Sequence, residues 1–190
     1  MSIIVQDAKK RLARILFEKS YMEGDFTLTS GRKSDYYFDC RQSSLHAEGA
    51  FLIGSLLFSM IADDSIVAVG GMTMGADPLI TATSLAAYAT GRQLPGLIVR
   101  KEVKGHGTAR AVEGLANVKK GDHVLVVEDV LSTGGSALRA CARLEEAGLV
   151  VRSVLCILNR EEGGAEAVQA AGYPVGAIFT RSELVALGKK

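Results

Sequence analysis

Short apolar runs alternate with amphipathic segments from about residue 65 to the end of the chain. Each run lacks the polar–apolar alternation of a half-exposed strand and is typical of a strand buried on both faces. The runs lie at 66–69, 96–102, 124–127, 150–158 and 175–179. Strands that alternate with helices predict an α/β fold, in which a central, mainly parallel sheet is flanked by helices and connected by right-handed crossovers.

Helical periodicity predicts the connecting elements. The predicted helices lie at 5–21, 46–61, 78–90, 137–147 and 165–171, and a last one begins at about residue 182. The helix at 46–61 is apolar on nearly all sides, so we expect it to pack between layers. Residues 26–41 predict a loop that passes into a strand. We expect one domain over residues 1–190, in which 1–62 form a small N-terminal hood over the carboxyl edge of the sheet and 63–190 form the α/β core.

The composition is that of an ordinary soluble globular chain, with 48% hydrophobic and 23% charged residues. The net charge of +1 provides no broad field for nucleic acid, so we expect no such partner, and any anion site must be local. No apolar run reaches membrane-spanning length, and the N-terminus lacks the apolar core of a signal peptide. We therefore expect no membrane association and a cytoplasmic location.

Three cysteines, Cys40, Cys141 and Cys156, stand far apart in apolar or helical contexts. We expect small buried thiols rather than disulfides, as in proteins of a reducing compartment. Neither the cysteines nor the histidines show the spacing of metal ligands, so the sequence predicts no metal ion held directly by protein side chains.

The most informative stretch runs from Asp122 to Ser136. Its apolar run is followed by two carboxylates, Glu128 and Asp129, at the strand end where open α/β sheets bind their ligands. A loop of small residues then leads into a helix; it consists of Ser132, Thr133, Gly134, Gly135 and Ser136. Backbone N–H groups at a helix start attract anions, so a phosphorylated ribose suits the whole stretch. An ordinary turn and helix N-cap is the alternative, and no Gly-Lys-Ser/Thr sequence marks a Walker P-loop.

Three further segments carry candidate chemistry, each with a structural alternative. Residues 70–78, with Thr73, form a second glycine loop after a strand, or simply a tight turn with proline in the first helical turn. Residues 104–110 are basic, lack large apolar groups and predict a mobile segment, or a solvated loop. The aromatic run 36–38 either packs one side into the core or stacks on a flat ligand; in a strand, Tyr37 faces away from its two neighbours.

The stretch from Asp122 to Ser136 resembles the phosphoribosyl-diphosphate signature of the type I phosphoribosyltransferases. Over the full length the resemblance narrows to the orotate phosphoribosyltransferases, which make orotidine 5′-phosphate for pyrimidine synthesis. Four segments carry it: 26–39, 70–78, 100–107 and 125–136. The resemblance implies the type I phosphoribosyltransferase fold with its N-terminal hood.

The resemblance also implies a role for each candidate residue. Glu128 and Asp129 would hold the ribose hydroxyls, 132–136 would wrap the 5′-phosphate, and 71–75, with Thr73, would hold the pyrophosphate. The expected partners of the pyrophosphate are the cations Arg100, Lys101, Lys104 and His106. The expected partners of orotate are Tyr37 and Phe38, which lie against the ring, and Arg160, which pairs with the carboxylate.

The family chemistry implies the remaining expectations. Displacement of pyrophosphate passes through an oxocarbenium-like state, so Lys104, Asp129 and His106 are the expected catalytic residues. Mg²⁺ is the expected cofactor, held mainly through the pyrophosphate and ribose hydroxyls of the substrate. The loop that carries Lys104 and His106 would reach the partner site of a homodimer.

Two positions depart from some relatives, which carry lysine where this chain has Thr29 and Met74. The loss of two charges from the expected cradle makes the cations of the 100–106 segment more important. Two alternatives remain open at this point: a phosphoribosyltransferase for another base, and a regulator that senses phosphoribosyl diphosphate without catalysis. The chain shows no nucleic-acid-binding motif of the kind such a regulator uses.

Overall fold

The computed structural model describes residues 2–27, 33–102 and 111–188. The helices are α1 Ser2–Lys19, α2 Arg41–Ser44, α3 Ala47–Ser59, α4 Asp77–Tyr88, α5 Gly135–Glu146, α6 Gly164–Ala170 and α7 Arg181–Gly188. The strands are β1 Tyr21–Thr27, β2 Lys33–Phe38, β3 Ile66–Met72, β4 Gly96–Val99, β5 Val112–Glu113, β6 His123–Leu131, β7 Val150–Asn159 and β8 Val175–Thr180.

Six of these strands form one sheet in the order β5-β4-β3-β6-β7-β8. All neighbours pair in parallel except β4 and β5, so the sheet is mainly parallel, as the alternation of strands and helices predicts. From β3 the chain adds strands towards one edge of the sheet, and from β6 it adds them towards the other edge. In sheets of this kind, ligands bind in the crevice beyond the carboxyl ends of the two central strands.

Both faces of the sheet are buried. Along β6, Leu125 and Val127 belong to the hydrophobic core shared with α1, α3, α4 and α7, whereas Val124 and Val126 belong to the core shared with α5 and α6. This explains why β6 reads as a continuous apolar run rather than an alternating one. Among the described residues no helix has the length and apolar character to cross a membrane.

The N-terminal region contributes both a hairpin and part of the main core. Strands β1 and β2 pair antiparallel as a separate two-stranded sheet. Helix α3 lies between α1 and α4, and its Leu52, Ile53 and Leu57 are buried in the core below the sheet. The expectation that this helix packs between layers is therefore wrong for one of its faces, where Phe51 is 72% exposed. The division of the chain into hood and core at residue 62 stays a prediction.

The structure corrects several predicted bounds. The first helix ends at Lys19, and the segment from Tyr21, which we predicted to be helix end and loop, forms β1. Its sequence hides the strand because a register shift between Glu23 and Phe26 breaks the alternation of faces. Strand β4 ends at Val99 rather than near residue 102, and β6 continues to Leu131 because β7 pairs with it that far. Strand β5 and helix α2 were not predicted.

Cys40, Cys141 and Cys156 are free and buried, which confirms the expectation of buried thiols within the part of the chain that is described. Cys156 lies on β7 directly opposite Glu128 of β6. Burial raises the pKa of both Cys141 and Cys156 to about 12, so these thiols are neutral at ordinary pH and unreactive as nucleophiles.

Close contact between α3 and α4 depends on Gly54. A methyl group at Gly54 would collide with the backbone carbonyl of Ala82 in α4, and helix backbone cannot rotate aside as a side chain can. We predict that Gly54→Ala lowers the free energy of unfolding by about 1–3 kcal/mol, measured by urea denaturation.

Ser55→Ala in the next position of the same helix is the control. The Ser55 hydroxyl donates only to the Phe51 carbonyl within α3, so its loss should change stability by less than about 0.5 kcal/mol. Equal effects of the two substitutions would contradict the proposed backbone contact.

Candidate active site

A cavity of about 640 Å³ opens at the carboxyl ends of β3, β6 and β7. Its wall is formed by Tyr37, Phe38, Asp39, Arg41, Met72, Thr73, Met74, Gly75, Lys101, Glu128, Asp129, Val130, Ser132, Thr133, Ser136, Arg160 and Glu162. The cavity therefore collects residues from the hairpin, both glycine loops, the acidic pair and the end of β7. Ten of the predicted site residues lie on this wall: Tyr37, Phe38, Thr73, Lys101, Glu128, Asp129, Ser132, Thr133, Ser136 and Arg160.

The acidic pair lies inside β6 rather than after it, since the ladder to β7 continues past both residues. Successive side chains of a strand point to opposite faces, yet both carboxylates reach the cavity wall. Asp129 Oδ1 accepts a hydrogen bond of 2.8 Å from the backbone N–H of Val130, which holds its carboxylate close to the main chain at the strand end.

Glu128 is the buried member of the pair, with 5% of its surface exposed. Burial, followed by the neighbouring charge of Asp129, raises the pKa of Glu128 to about 8, while a hydrogen bond with Ser136 acts in the opposite direction. Its Oε2 has no hydrogen-bond partner among the described residues. A buried oxygen without a hydrogen-bond partner lowers the stability of the fold. This oxygen is therefore available for a hydrogen bond with a hydroxyl group of a ligand.

Two glycine loops meet at the acidic pair. In the first loop, a methyl group at Gly75 would lie 2.7 Å from Oδ2 of Asp129, so the absence of a side chain lets the two segments touch. The Thr73 hydroxyl donates to Oδ2 of Asp77 at 2.8 Å, which ties this loop to the start of α4. The peptide bond between Thr73 and Met74 is cis.

The second loop leads into α5 through Gly134, whose φ of +81° is the left-handed conformation that favours glycine. Gly134 is the N-cap residue and makes no side-chain cap, so the first N–H groups of α5 remain available to an anion. The start of α6 lies directly behind this loop. A methyl group at Gly164 would lie 2.5 Å from the Ser132 carbonyl oxygen and 2.9 Å from the Gly134 nitrogen.

The aromatic run on β2 alternates in direction as predicted. Tyr36 and Phe38 are buried and belong to the main core, where both lie beside the ring of Tyr21. Tyr37 is half-buried and contacts the ring of Phe26 at 5.5 Å between centroids. The structural interpretation is therefore confirmed for Tyr36 and Phe38. Stacking on a flat ligand stays a prediction, which the position of Tyr37 and Phe38 on the cavity wall supports.

The predicted cations are placed differently from one another. Lys101 lines the cavity, whereas Arg100 does not: its Nη2 lies 2.6 Å from Oε1 of Glu113 in β5. Arg143, in the last turn of α5, donates to the backbone carbonyls of both Arg100 and Lys101. Lys104 and His106, and with them the expected catalytic loop, lie outside the described residues, as does Thr29.

Sequence reasoning missed two charged pairs on the cavity wall. Arg41 Nε donates to Oδ1 of Asp39 at 2.7 Å, and hydrogen bonds from Arg41, above all, hold the pKa of Asp39 below its usual value. Arg160 pairs with Glu162, two residues further along the chain. The available signal was the Asp-x-Arg and Arg-x-Glu spacing at the end of a predicted strand, but such spacing is common in solvated loops.

Comparison with known proteins identifies the family. The model of the phosphoribosyl transferase domain matches residues 41–170. The orotate phosphoribosyltransferase of Thermosynechococcus vestitus is 47% identical over 95% of this chain and 94% of its own length. That of Sorangium cellulosum is 46% identical over 97% of each chain. The chain belongs to the orotate phosphoribosyltransferase family.

Solved structures of the family share the fold. The crystal structure of Mycobacterium tuberculosis orotate phosphoribosyltransferase in complex with 5-phospho-alpha-D-ribosyl 1-diphosphate has a TM-score of 0.77 and 34% identity, and the match covers 94% of this chain and 99% of that one. The type I phosphoribosyltransferase fold expected from the signature is thereby confirmed. The departure at Met74 lies on the cavity wall, where an exposed thioether takes the place of a charge.

The raised pKa of Glu128 predicts a pH-dependent cost to stability. In the unfolded chain this carboxyl titrates near 4.5, so between that value and about 8 the folded protein binds more protons than the unfolded one. The free energy of unfolding therefore falls as the pH rises through this window, because the folded protein must deprotonate a buried Glu128. We predict that Glu128→Gln is more stable than the parent protein at pH 8.5, by on the order of 1–3 kcal/mol, and that the difference shrinks towards pH 4.5.

Thermal and urea unfolding across this pH range measure the difference. Glu146→Gln, at an exposed position late in α5, is the matched control and should leave the pH profile unchanged. A difference between Glu128→Gln and parent that stays constant with pH would show that Glu128 carries no burial penalty.

Proposed function

We propose that this protein transfers the 5-phosphoribosyl group from phosphoribosyl diphosphate to orotate, giving orotidine 5′-phosphate and pyrophosphate. The observation that carries the proposal is one cavity that unites the acidic pair, two glycine loops and the buried Arg160. The acidic pair suits the hydroxyl groups of a sugar, and the two glycine loops suit a phosphate group at each end of that sugar. Arg160 suits the carboxylate of an acidic base. The full-length similarity to proteins named orotate phosphoribosyltransferase supports the choice of base.

The donor is oriented by the two loops on either side of the acidic pair. Glu128 and Asp129 accept hydrogen bonds from the ribose hydroxyls, and the orphaned Oε2 of Glu128 gains a partner in this way. The residues 132–136 surround the 5′-phosphate at the N-terminus of α5, where N–H groups and the helix dipole favour negative charge. The 71–75 loop and Lys101 face the pyrophosphate.

The charge of the cavity wall explains why this reaction needs added cations. Three carboxylates line the wall, Asp39, Asp129 and Glu162, together with Glu128, whose raised pKa of about 8 keeps it protonated near pH 7. Three cationic side chains accompany them: Arg41, Lys101 and Arg160. A wall of this kind does not by itself neutralise a pyrophosphate, so we propose that Mg²⁺ accompanies the donor and that Lys104 and His106 add positive charge. Bound Mg²⁺ supplies charge neutralisation for the leaving pyrophosphate.

No group of three or more Asp, Glu, His or Cys residues in the described part of the chain could hold a metal ion. The donor set of the site is the acidic pair together with the hydroxyl and phosphate oxygens of the substrate. Hard oxygen ligands of this kind fit Mg²⁺, which keeps water and substrate oxygens in its coordination shell. The ion is thus proposed to be held mainly through the substrate.

The reaction breaks the bond between ribose C1 and the pyrophosphate oxygen and forms a bond from C1 to a ring nitrogen of orotate, whose proton is released to the solvent or to the departing pyrophosphate. Positive charge develops on the sugar while the leaving group becomes more negative. Asp129 stabilises the sugar cation from the hydroxyl side, whereas Lys104 and His106 stabilise the pyrophosphate. Tyr37 and Phe38 lie against the flat ring, and Arg160 pairs with its carboxylate.

A spectrophotometric assay of base consumption, with phosphoribosyl diphosphate and Mg²⁺, tests the proposed reaction. Orotate should be consumed, while uracil, adenine and hypoxanthine in parallel reactions should not. Consumption of another base would assign a different phosphoribosyltransferase. Tight donor binding without turnover of any base would instead indicate a regulator that senses the donor.

We further propose that the protein is a homodimer formed through the groove between α3 and α4. This groove has a volume of about 770 Å³ and an apolar wall that includes Phe51 and Leu85, which are 72% and 65% exposed. Exposed apolar side chains of this size, gathered in one groove, are typical of a protein interface. Arg41 and Met74 line both the groove and the active-site cavity, so the second copy would sit beside the donor site.

We predict that Phe51→Glu converts the dimer to a monomer, because a charge would be buried in an apolar interface. Sedimentation velocity measures the change, and circular dichroism checks that the fold is kept. Val150→Glu, at an exposed apolar position outside the groove, is the control and should leave the association state unchanged. A Phe51→Glu protein of the same size as the parent would place the interface elsewhere.

We predict that Lys104→Ala lowers kcat far more than it weakens donor binding, because the positive charge acts on the leaving pyrophosphate in the transition state. Equal losses in rate and affinity would argue against a role specific to that state. In a two-fold dimer with shared sites, equimolar subunits of Lys104→Ala and Asp129→Asn should exchange and regain about a quarter of the parent activity. No recovery on mixing would mean that each site is built from one subunit.

We propose a cytoplasmic location, supported by three buried free thiols of the kind that a reducing compartment preserves.

A further inference from the structure

Arg160 is a buried cation whose hydrogen-bonding capacity is only partly used. It follows the last residue of β7, its backbone N–H donates to the Leu131 carbonyl, and only 5% of its surface is exposed. Its Nη2 lies 2.9 Å from Oε1 of Glu162, but outside hydrogen-bonding alignment, so the contact is an ion pair alone. Neither Nε nor Nη2 has a hydrogen-bond partner among the described residues.

These two nitrogens form one edge of the guanidinium group. That edge is suited to bind a carboxylate through two parallel N–H···O bonds, which is the strongest arrangement available to arginine. Glu162 supplies a negative charge beside Arg160, but its oxygens do not align with the two N–H groups of this edge. An incoming carboxylate that aligns with this edge would therefore form a better pair than the one already present.

Aromatic stacking limits where this edge can point. The Arg160 guanidinium lies 4.9 Å from the centroid of the Tyr36 ring, and the guanidinium of Arg181 lies 4.4 Å from the same centroid. Cation–π contacts of this kind fix a guanidinium against the ring face. Arg160 is thus held in place by Tyr36 and β7, so Glu162, rather than Arg160, is the member of the pair that can move.

The turn that carries Glu162 is anchored at its other residues. Oε2 of Glu161 accepts hydrogen bonds from the backbone and hydroxyl of Ser182 at 2.8 and 2.7 Å. The hydrogen bonds of Glu161 therefore hold the backbone next to Glu162, and the Glu162 side chain can leave Arg160 by rotating about its own bonds.

We infer that Glu162 is an internal stand-in for the carboxylate of the base. It neutralises buried Arg160 while the base is absent, and the substrate carboxylate displaces it when the base binds. Two carboxylates at one cation in a buried site repel each other, so every acidic base must overcome Glu162. The inference rests on the proposed function, because it takes orotate as the base.

Glu162→Gln tests this directly, since it keeps the size of the side chain and removes the competing charge. We expect the dissociation constant of orotate to fall about fivefold or more. It is measured by equilibrium dialysis with Mg²⁺ and pyrophosphate, which cannot react with orotate. The neutral amide of orotate should bind the parent and the variant equally, because it carries no charge for Glu162 to repel.

Two further variants isolate the path through Arg160. Arg160→Gln should weaken orotate binding, and adding Glu162→Gln to it should bring no gain, because the cation with which Glu162 pairs is gone. Glu166→Gln removes a carboxylate from an exposed position in the first turn of α6 and should leave orotate affinity unchanged.

Weaker orotate binding by Glu162→Gln, or equal gains for orotate and its amide, would overturn the inference. If Glu162→Gln does not fold, a crystal structure of the parent protein with orotate decides instead, and Glu162 still paired with Arg160 would contradict displacement. Absence of orotate binding and turnover in the parent protein would count against the proposed function itself. Normal turnover without the expected gain would count only against the role of Glu162.

Discussion

The active site depends on two adjacent carboxylates that the sheet places at the edge of its own core. Glu128 is nine-tenths buried or more, next to Asp129, and nothing in the described protein satisfies one of its oxygens. Burial of a carboxyl group in this way opposes folding, and the hydrophobic layers on both faces of β6 must compensate for it. A ligand accounts for the arrangement, because a hydroxyl group of the ligand can supply the hydrogen bond that the described protein does not.

Other parts of the site serve this pair. Gly75 lets the first loop touch Asp129, and Gly134 lets the second loop turn into α5 just beyond it. Arg143 then joins the far end of α5 to the backbone of Arg100 and Lys101. One helix thus connects the phosphate end of the site with the strand end that leads towards the expected catalytic loop.

Much of this could be predicted from the sequence. The apolar runs of β3, β6 and β7 predicted the parallel sheet, and Glu128, Asp129 and the 132–136 segment predicted residues that meet at one cavity, because each signal lies within one continuous segment. The stacking of Arg160 on Tyr36 could not be predicted, since it arises when β2 and the end of β7 meet in space. The pairing of Arg160 with Glu162 lies within one segment, but its Arg-x-Glu spacing is common in solvated loops and does not indicate a buried pair. Strand β1 was missed for a local reason: its bulge breaks the periodicity on which strand prediction depends.

The close approach of Gly164 to the Ser132–Gly134 loop also limits how this protein can change over evolution or by design. Thirty residues separate the two segments in the chain, yet the backbone atoms of Ser132, Gly134 and Gly164 lie close together. A side chain added at either glycine would therefore reshape the loop before α5 without altering any polar group of that loop. A substitution in the loop will therefore be tolerated only together with a compensating change at the start of α6. Sequence variation at these two places should be coupled, although glycine has no side chain at either position.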